Sequence, residues 1–143
     1  MLCYIFDIDG TIADCSHRIH LLDQKLWREF FARVADDKPI PHILGLAQDL
    51  ARTGKAIVYV SGRSDECRAE TLDWMMHNRA PSGPMFMRAA DDHRPDFVVK
   101  SELLDKLIAS GYQPIMAFDD RNSVVRMWRE RGIPCAQVAE GDF

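Results

Sequence analysis

Five short apolar runs rich in strand-forming residues punctuate this chain, and stretches of helical periodicity fill the spaces between them. The runs are Leu2–Ile8, Ala56–Val60, Met85–Met87, Ile115–Phe118 and Cys135–Val138. Apolar stripes at helical spacing come from Ile43, Leu46, Ala47 and Leu50, and from Leu72, Met75 and Met76. Others come from Leu103, Leu104, Leu107 and Ile108, and from Val124, Val125 and Trp128. Strand, helix, strand repeated in this way predicts an α/β fold with parallel strands and helices on both faces. Runs that are apolar at nearly every position fit strands covered on both sides. Gly54, Gly111 and Gly132 each follow a stripe, where a left-handed residue is expected to end the helix.

Between the first and second strands the chain carries more than one crossover requires. Leu22, Leu26, Phe30 and Val34, joined by Trp27 and Phe31, make one additional stripe, and Lys38-Pro39-Ile40-Pro41 separates it from the next. A right-handed crossover needs a single helix. The segment from about Ser16 to Lys38 is therefore read as a small helical cap over the carboxyl edge of the sheet. Residues 1–15 and 39–143 form the core of one domain spanning residues 1–143, a length that suits one domain.

Composition narrows the class. The chain is 47% hydrophobic and 28% charged with a net charge of −4, which excludes disorder, coiled coil and collagen-like repeats. No apolar run approaches the roughly 18 residues of a membrane span, and no basic leader precedes the first apolar stretch, so a cytoplasmic protein without membrane contact is expected. Cys3, Cys15, Cys67 and Cys135 lie too far apart for a zinc motif and read as buried reduced thiols. His17, His20, His42, His77 and His93 form no metal-ligand spacing; they are expected on the surface, with His17 at most a substrate contact. Trp74, Met75, Met76, Met127 and Trp128 follow helical spacing and are expected in the core.

In open parallel sheets, reactive groups gather beyond the carboxyl ends of the strands. There the first run ends in Asp7-Ile8-Asp9-Gly10-Thr11, the second in Ser61-Gly62-Arg63 and the fourth in Asp119-Asp120-Arg121, while Asp96 and Lys100 precede the helix leading to the fourth. Carboxylates, a hydroxyl and an ammonium converging on one edge suit phosphoryl transfer with a divalent metal. Asp7, ionised at neutral pH, can attack phosphorus without a base to activate it. Asp9, two positions on, can lean to the same side and serve as acid and then base. Mg²⁺ is expected to bridge carboxylate and phosphate oxygens, with Asp119 and Asp120 among its hard ligands. Gly10 permits a sharp turn that aims amides at the phosphate; Ser61 offers a hydroxyl and Lys100 a compact positive charge. The D-x-D-G-T string arises by chance at about one start position in 10⁵ at average usage. An EF-hand loop is excluded because the glycine stands one place after the second Asp and no acidic residue fills the twelfth position.

These residues resemble the four ordered motifs of the haloacid dehalogenase (HAD) superfamily of phosphohydrolases. The resemblance implies a Rossmann-like core of strand order 5-4-1-2-3, an aspartyl-phosphate intermediate on Asp7, acid/base work by Asp9, and Mg²⁺ held by Asp7, Asp119 and Asp120 with the Asp9 backbone carbonyl. Across nearly the whole chain the sequence is also similar to the 3′-phosphatase domains typified by bacteriophage T4 polynucleotide kinase-phosphatase. That similarity rests on Ser16-x-Arg18, Val60-Ser61-Gly62-Arg63, Arg94-x-Asp96-x-Val98-Val99-Lys100 and Asp119-Asp120-Arg121. It continues through Val124-Val125, Met127-Trp128-Arg129, Gln137-Val138-Ala139 and Gly141-Asp142-Phe143. It implies that Arg18 and Arg63 hold phosphate or the substrate backbone, that Asp96 orients Lys100, and that Gly10, Thr11, Gly62 and Arg88 lie against substrate. No G-x-x-x-x-G-K-[ST] occurs, so kinase activity is not expected.

The leading expectation is thus a Mg²⁺-dependent phosphatase that removes a terminal phosphate, most plausibly 3′, from DNA or RNA. Arg18, Arg63, Arg88, Arg94 and Arg121 would hold the backbone, unless Arg94 and Arg121 merely pair with Asp96, Asp91 or Asp119. The alternative within catalysis is a nucleoside monophosphate phosphatase whose cap, with His17, His20 and Trp27, clamps one base. A non-catalytic nucleic-acid-binding module is the alternative outside it. No obligate protein partner is expected.

Overall fold

Residues 1–143 are described by a computed structural model. In chain order the elements are β1 (Leu2–Phe6), β2 (Ala13–Asp14), α1 (His20–Asp23), α2 (Trp27–Ala32), β3 (Lys38–Pro39), α3 (Pro41–Arg52) and β4 (Ala56–Ser64). There follow α4 (Arg68–His77), β5 (Met85–Arg88), α5 (Asp96–Ala109), β6 (Gln113–Asp119), α6 (Asn122–Glu130) and β7 (Cys135–Gln137). Five strands pair in parallel in the order β5-β4-β1-β6-β7. Numbered among themselves they give the expected 5-4-1-2-3. The full numbering differs because β2 and β3, which the sequence reading omitted, pair antiparallel as a separate two-stranded ribbon.

Alternation along the strands explains why both faces are apolar. Cys3, Ile5, Val58 and Val60 point to one side, where Val99, Leu103, Leu104 and Leu107 of α5 and Val124, Val125 and Trp128 of α6 cover them. Phe6, Ile57 and Tyr59 point to the other, against Leu44 and Ala47 of α3 and Trp74 and Met75 of α4. The stripes end as their glycines require. Gly54, Gly111 and Gly132 have φ of +83°, +95° and +78°. The next amide bonds back in each case, Lys55 to the Leu50 carbonyl, Tyr112 to Leu107 and Ile133 to Trp128, closing three Schellman motifs. All four cysteines are buried and free.

Three expectations need correction. The stripe from Leu22 to Val34 is not one helix. Lys25 adopts φ +56° and splits it into α1 and α2, and a 3₁₀ turn at residues 34–36 follows. Phe30 and Val34 are buried, whereas Leu26 and Trp27 face outward. Met76 and Leu72 are also exposed, because α4 presents Trp74 and Met75 to the sheet instead. Finally, Ser61-Gly62-Arg63 belongs to β4 itself. The pairing with β5 skips from Ser61–Met87 to Ser64–Arg88, a bulge that redirects the intervening residues.

No helix is long and apolar enough to cross a membrane. The ribbon β2–β3 brackets the segment carrying α1 and α2, and the Ile40 amide bonds to the Ile12 carbonyl at 2.8 Å, fixing the ribbon beside the turn that leaves β1. Leu107 is fully buried between α5 and the sheet. Leu107→Ala is expected to lower stability by about 2–5 kcal/mol, read as a drop in urea midpoint at unchanged slope.

Candidate active site

The exit from β1 is a tight turn. The amides of Thr11, Ile12 and Ala13 converge on the Ile8 carbonyl, and the Gly10 amide bonds to Ala13. Gly10 has φ +81°, and a Cβ there would stand 2.1 Å from Asp120 Oδ2, so conformation and close approach both demand glycine. The expectation that the Gly10 and Thr11 amides face a phosphate is not met: both are spent inside the turn. Thr11 is likewise buried, and its hydroxyl donates to Asp7 Oδ2 at 3.3 Å.

The two carboxylates of the D-x-D pair line one cleft but belong to different charge clusters. Asp7 lies with Asp119 and Asp120, each offering an oxygen within 4.8 Å of the others. Lys100 reaches from α5 into this group, its Nζ 2.8 Å from Asp7 Oδ1, 2.9 Å from Asp119 Oδ2 and 3.7 Å from Asp96 Oδ2. Burial opposes the Lys100 charge, but Asp119, Asp7 and Asp96 outweigh it and raise its pKa well above the ordinary value. Burial and the neighbouring Asp119 push Asp7 well above the usual carboxylate range, and the same two causes lift Asp120 to about 6. Asp119 is held from four sides. Its Oδ2 accepts from Lys100 and from the Trp128 indole at 3.2 Å, and its Oδ1 accepts the Asp120 and Arg121 amides at 2.9 and 3.4 Å. A buried set of three carboxylates sharing one ammonium carries surplus negative charge, and its hard oxygens suit Mg²⁺.

Asp9 sits among cations. Its Oδ1 accepts from Arg18 Nη2 at 2.8 Å and from Arg63 Nε and Nη2 at 3.0 and 2.7 Å. Burial would raise its pKa, but Arg63 and Arg18 prevail and hold it below the usual value. Its carboxylate takes no part in the triad, so the expected metal contact rests on its backbone carbonyl alone. Arg18 and Arg63 were expected on the substrate; instead both side chains are wholly buried. Asp37 binds them from behind, accepting from Arg18 Nε and Nη2 at 2.8 and 2.7 Å and from Arg63 Nη2 at 2.8 Å. Arg63 Nη1 also donates to the Thr71 hydroxyl, and Trp74 Nε1 donates to the Asp37 carbonyl. His17, placed in the sequence reading on the surface or on substrate, lies 2.7 Å from Asp37 Oδ1. Sequence reasoning missed Asp37 entirely, since it stands beside Asp36 in a polar stretch with nothing local to mark it.

The β4 bulge and the loop before α5 complete the edge. Ser61 is buried, and its Oγ accepts the Arg63 amide at 3.1 Å. A Cβ on Gly62 would meet Asp96 Oδ1 at 2.1 Å. Arg88, expected against substrate, donates to the carbonyls of Gly62, Asp92 and Arg94 and to Asp96 Oδ1, which ties the loop down; its edge still lines the cleft. Arg94 does pair internally, with Asp92 and Glu102 rather than the carboxylates named above. Arg121 lies 3.9 Å from Asp96 Oδ2 and packs its guanidinium over the Phe143 ring. Gly141 presses so closely on the Asp120 backbone that a Cβ would stand 1.8 Å from its carbonyl oxygen. The resulting cleft of about 750 Å³ has Asp7, Asp9, Gly10 and Asp120 at its floor; the α1–α2 segment and the residue 88–96 loop contribute lining from either side.

Residues 1–143 match the family described as the polynucleotide kinase PNKP phosphatase domain. A protein of Autographa californica nuclear polyhedrosis virus that carries the name bifunctional polynucleotide kinase/RNA ligase is 35% identical over 130 residues, 90% of this chain and 18% of its own. A chain solved within the Pnkp1/Rnl/Hen1 RNA repair complex superposes with a TM-score of 0.88 at 28% identity, covering 99% of this chain and 43% of that one. The class C acid phosphatase of Bacillus anthracis shares the fold, with a TM-score of 0.66 at 14% identity over 96% of this chain and 68% of its own. The chain therefore spans less than half the length of the viral and repair-complex relatives. A D-x-D pair, a buried lysine and a paired-aspartate turn on the edge of a 5-4-1-2-3 sheet, together with a family match over the whole length, make this chain a member of the HAD-type phosphatase domains of polynucleotide kinase-phosphatases.

Proposed function

We propose that this domain hydrolyses a terminal 3′-phosphate from a nucleic acid, with Asp7 as nucleophile and Asp9 as acid and base. The observation that carries the reading is the split of the D-x-D pair: one carboxylate oriented by Lys100 and Thr11 in an anionic cluster, the other fixed by two arginines through a single oxygen. Every bond to Asp9 falls on Oδ1, which leaves Oδ2 to handle a proton. An arriving phosphate dianion raises the proton affinity of Asp9 by like-charge repulsion. Asp7 attacks phosphorus as the ester P–O bond breaks, and the proton on Asp9 Oδ2 passes to the leaving oxygen. Asp9 then takes a proton from water, whose oxygen attacks the phosphorus of the acyl phosphate and releases inorganic phosphate and free Asp7. The Ser61 hydroxyl and Lys100 would meet phosphoryl oxygens. Asp7, Asp119 and Asp120 would hold Mg²⁺, which when bound offsets the repulsion between carboxylate and phosphate. Arg18, Arg63 and Asp37 act by positioning Asp9.

A nucleic-acid end as substrate is supported by the family and by an open cleft edged with Arg28 and Arg121. The similar repair-complex chain was solved with other proteins, so a protein partner enters here as a proposal, against the sequence expectation of none.

The test is phosphate release from 3′- and 5′-phosphorylated oligonucleotides beside 3′- and 5′-mononucleotides. Release is expected from the 3′-phosphorylated oligonucleotide, abolished by Asp7→Asn and lowered about 10²–10⁴-fold by Asp9→Asn. Preference for mononucleotides would overturn the polymer reading, and release that survives Asp7→Asn would overturn the mechanism. Chelation should end turnover and Mg²⁺ restore it. Mg²⁺ should also raise the melting temperature of the wild type, and Asp120→Asn should shrink that rise. Asp37→Ala strips the buried guanidiniums of a partner. It is expected to cost about 3–5 kcal/mol in urea unfolding and to lower kcat more than it raises KM.

A further inference from the structure

One pair of cleft residues takes no part in the phosphoryl chemistry. Trp27, the first residue of α2, is 43% exposed, and His93 stands exposed in the loop between β5 and α5. They approach across the cleft, ring centroids 6.1 Å apart and planes 38° from parallel. Neither ring is needed to fill a core. Each is mounted on a fixed support. The His93 loop is pinned by Arg88 to the Asp92 and Arg94 carbonyls, and by Asp92 accepting the Arg94 amide. On the other side Arg18 Nη1 donates to the Phe30 carbonyl and packs over its ring at 4.2 Å, anchoring α2. Ile19, Leu22 and Phe31 extend an apolar wall beside Trp27.

We propose that Trp27 and His93 are a clamp for the terminal nucleobase, indole on one face and imidazole on the other, which holds the end while its phosphate reaches Asp7. The proposal deepens the phosphatase reading and rests on it. A base between two rings needs roughly 6.8 Å, two intervals of about 3.4 Å. The observed spacing falls short of that by less than about 1 Å, so a small opening and a rotation to parallel admit it. Both rings offer π-faces, and stacking on them is tolerant of base identity, so the clamp demands a base without choosing which one. The segment that carries Trp27 thereby sets substrate class: ends bearing a base are taken, and bare sugar phosphates are not.

The test compares a 3′-phosphorylated oligonucleotide with the same strand ending in an abasic 3′-phosphate. Wild type is expected to prefer the base-bearing end roughly 5- to 100-fold in kcat/KM, the range that one base–aromatic stack commands, expressed mainly in KM. Trp27→Ala should erase the preference and Trp27→Phe should recover most of it. A preference that persists in Trp27→Ala, or none in wild type, overturns the clamp. Binding gives a readout independent of turnover. The other two tryptophans, Trp74 and Trp128, are buried, so quenching by a 3′-hydroxyl oligonucleotide reports Trp27. Strong quenching by the base-ended strand and weak quenching by the abasic one supports the clamp; equal quenching overturns it. Failure of the underlying reading looks different: wild type would release no phosphate from either strand.

Discussion

The Lys100 ammonium, buried among Asp7, Asp119 and Asp96, is the interaction on which the rest of the edge is built. Taking such ions out of water costs several kcal/mol each, recovered only through good geometry and additional hydrogen bonds. That geometry comes from three elements at once: β1 leads directly into Asp7, β6 ends on Asp119, and α5 begins at Asp96 so that Lys100 falls one helical turn on. Parallel pairing of β1 with β6 brings the two strand ends level, and Trp128 of α6 caps Asp119 from the core. One ammonium does not balance three carboxylates and Asp120. Burial and this surplus together raise the proton affinity of Asp7 and Asp120, and the surplus is charge that a divalent cation would offset.

A second consequence is chemical. Asp7 and Asp9 are two residues apart and burial raises the proton affinity of both, yet their charged neighbours leave Asp7 above and Asp9 below the usual value. Asp7 answers to Asp119, Asp9 to Arg63 and Arg18. Two identical side chains thus differ through their surroundings alone, the condition under which one short motif could supply both the nucleophile and the proton carrier proposed above. Immediately after the pair, Gly10 lets the chain reverse within contact of Asp120.

Much of this was legible in sequence because parallel strands covered on both faces write near-continuous apolar runs, and residues at their carboxyl ends must share one edge. That Asp7, Asp119 and Asp120 share one edge was expected on that ground, whereas Lys100, expected ahead of a helix, lies inside α5. What stayed hidden depends on contacts between distant residues. Arg18 and Arg63 carry the same symbol whether they face solvent or lie buried, and nothing near them says that Asp37 waits behind. The ribbon β2–β3 is two residues a side and has no periodicity to read. The α1–α2 stripe looked continuous because its apolar spacing survives the break at Lys25, which only backbone conformation reveals.

Arg18 joins chemistry to access. Its Nη2 donates to both Asp9 and Asp37, its Nη1 donates to the Phe30 carbonyl of α2, and its guanidinium lies over the Phe30 ring. The wall of the cleft and the Asp9 carboxylate are thus fastened to the same buried ion, so displacement of α2 would reach Asp9 through desolvated contacts rather than through solvent. On the facing wall Arg88 plays the corresponding part, tying the His93 loop to Gly62 and Asp96, and Asp96 in turn touches Lys100. Each wall is therefore tied to a different carboxylate of the D-x-D pair, the cap to Asp9 and the loop, through Asp96 and Lys100, to Asp7. If Asp7 and Asp9 act as proposed, a substrate end that seats both walls is one that leaves both carboxylates in register with its phosphate.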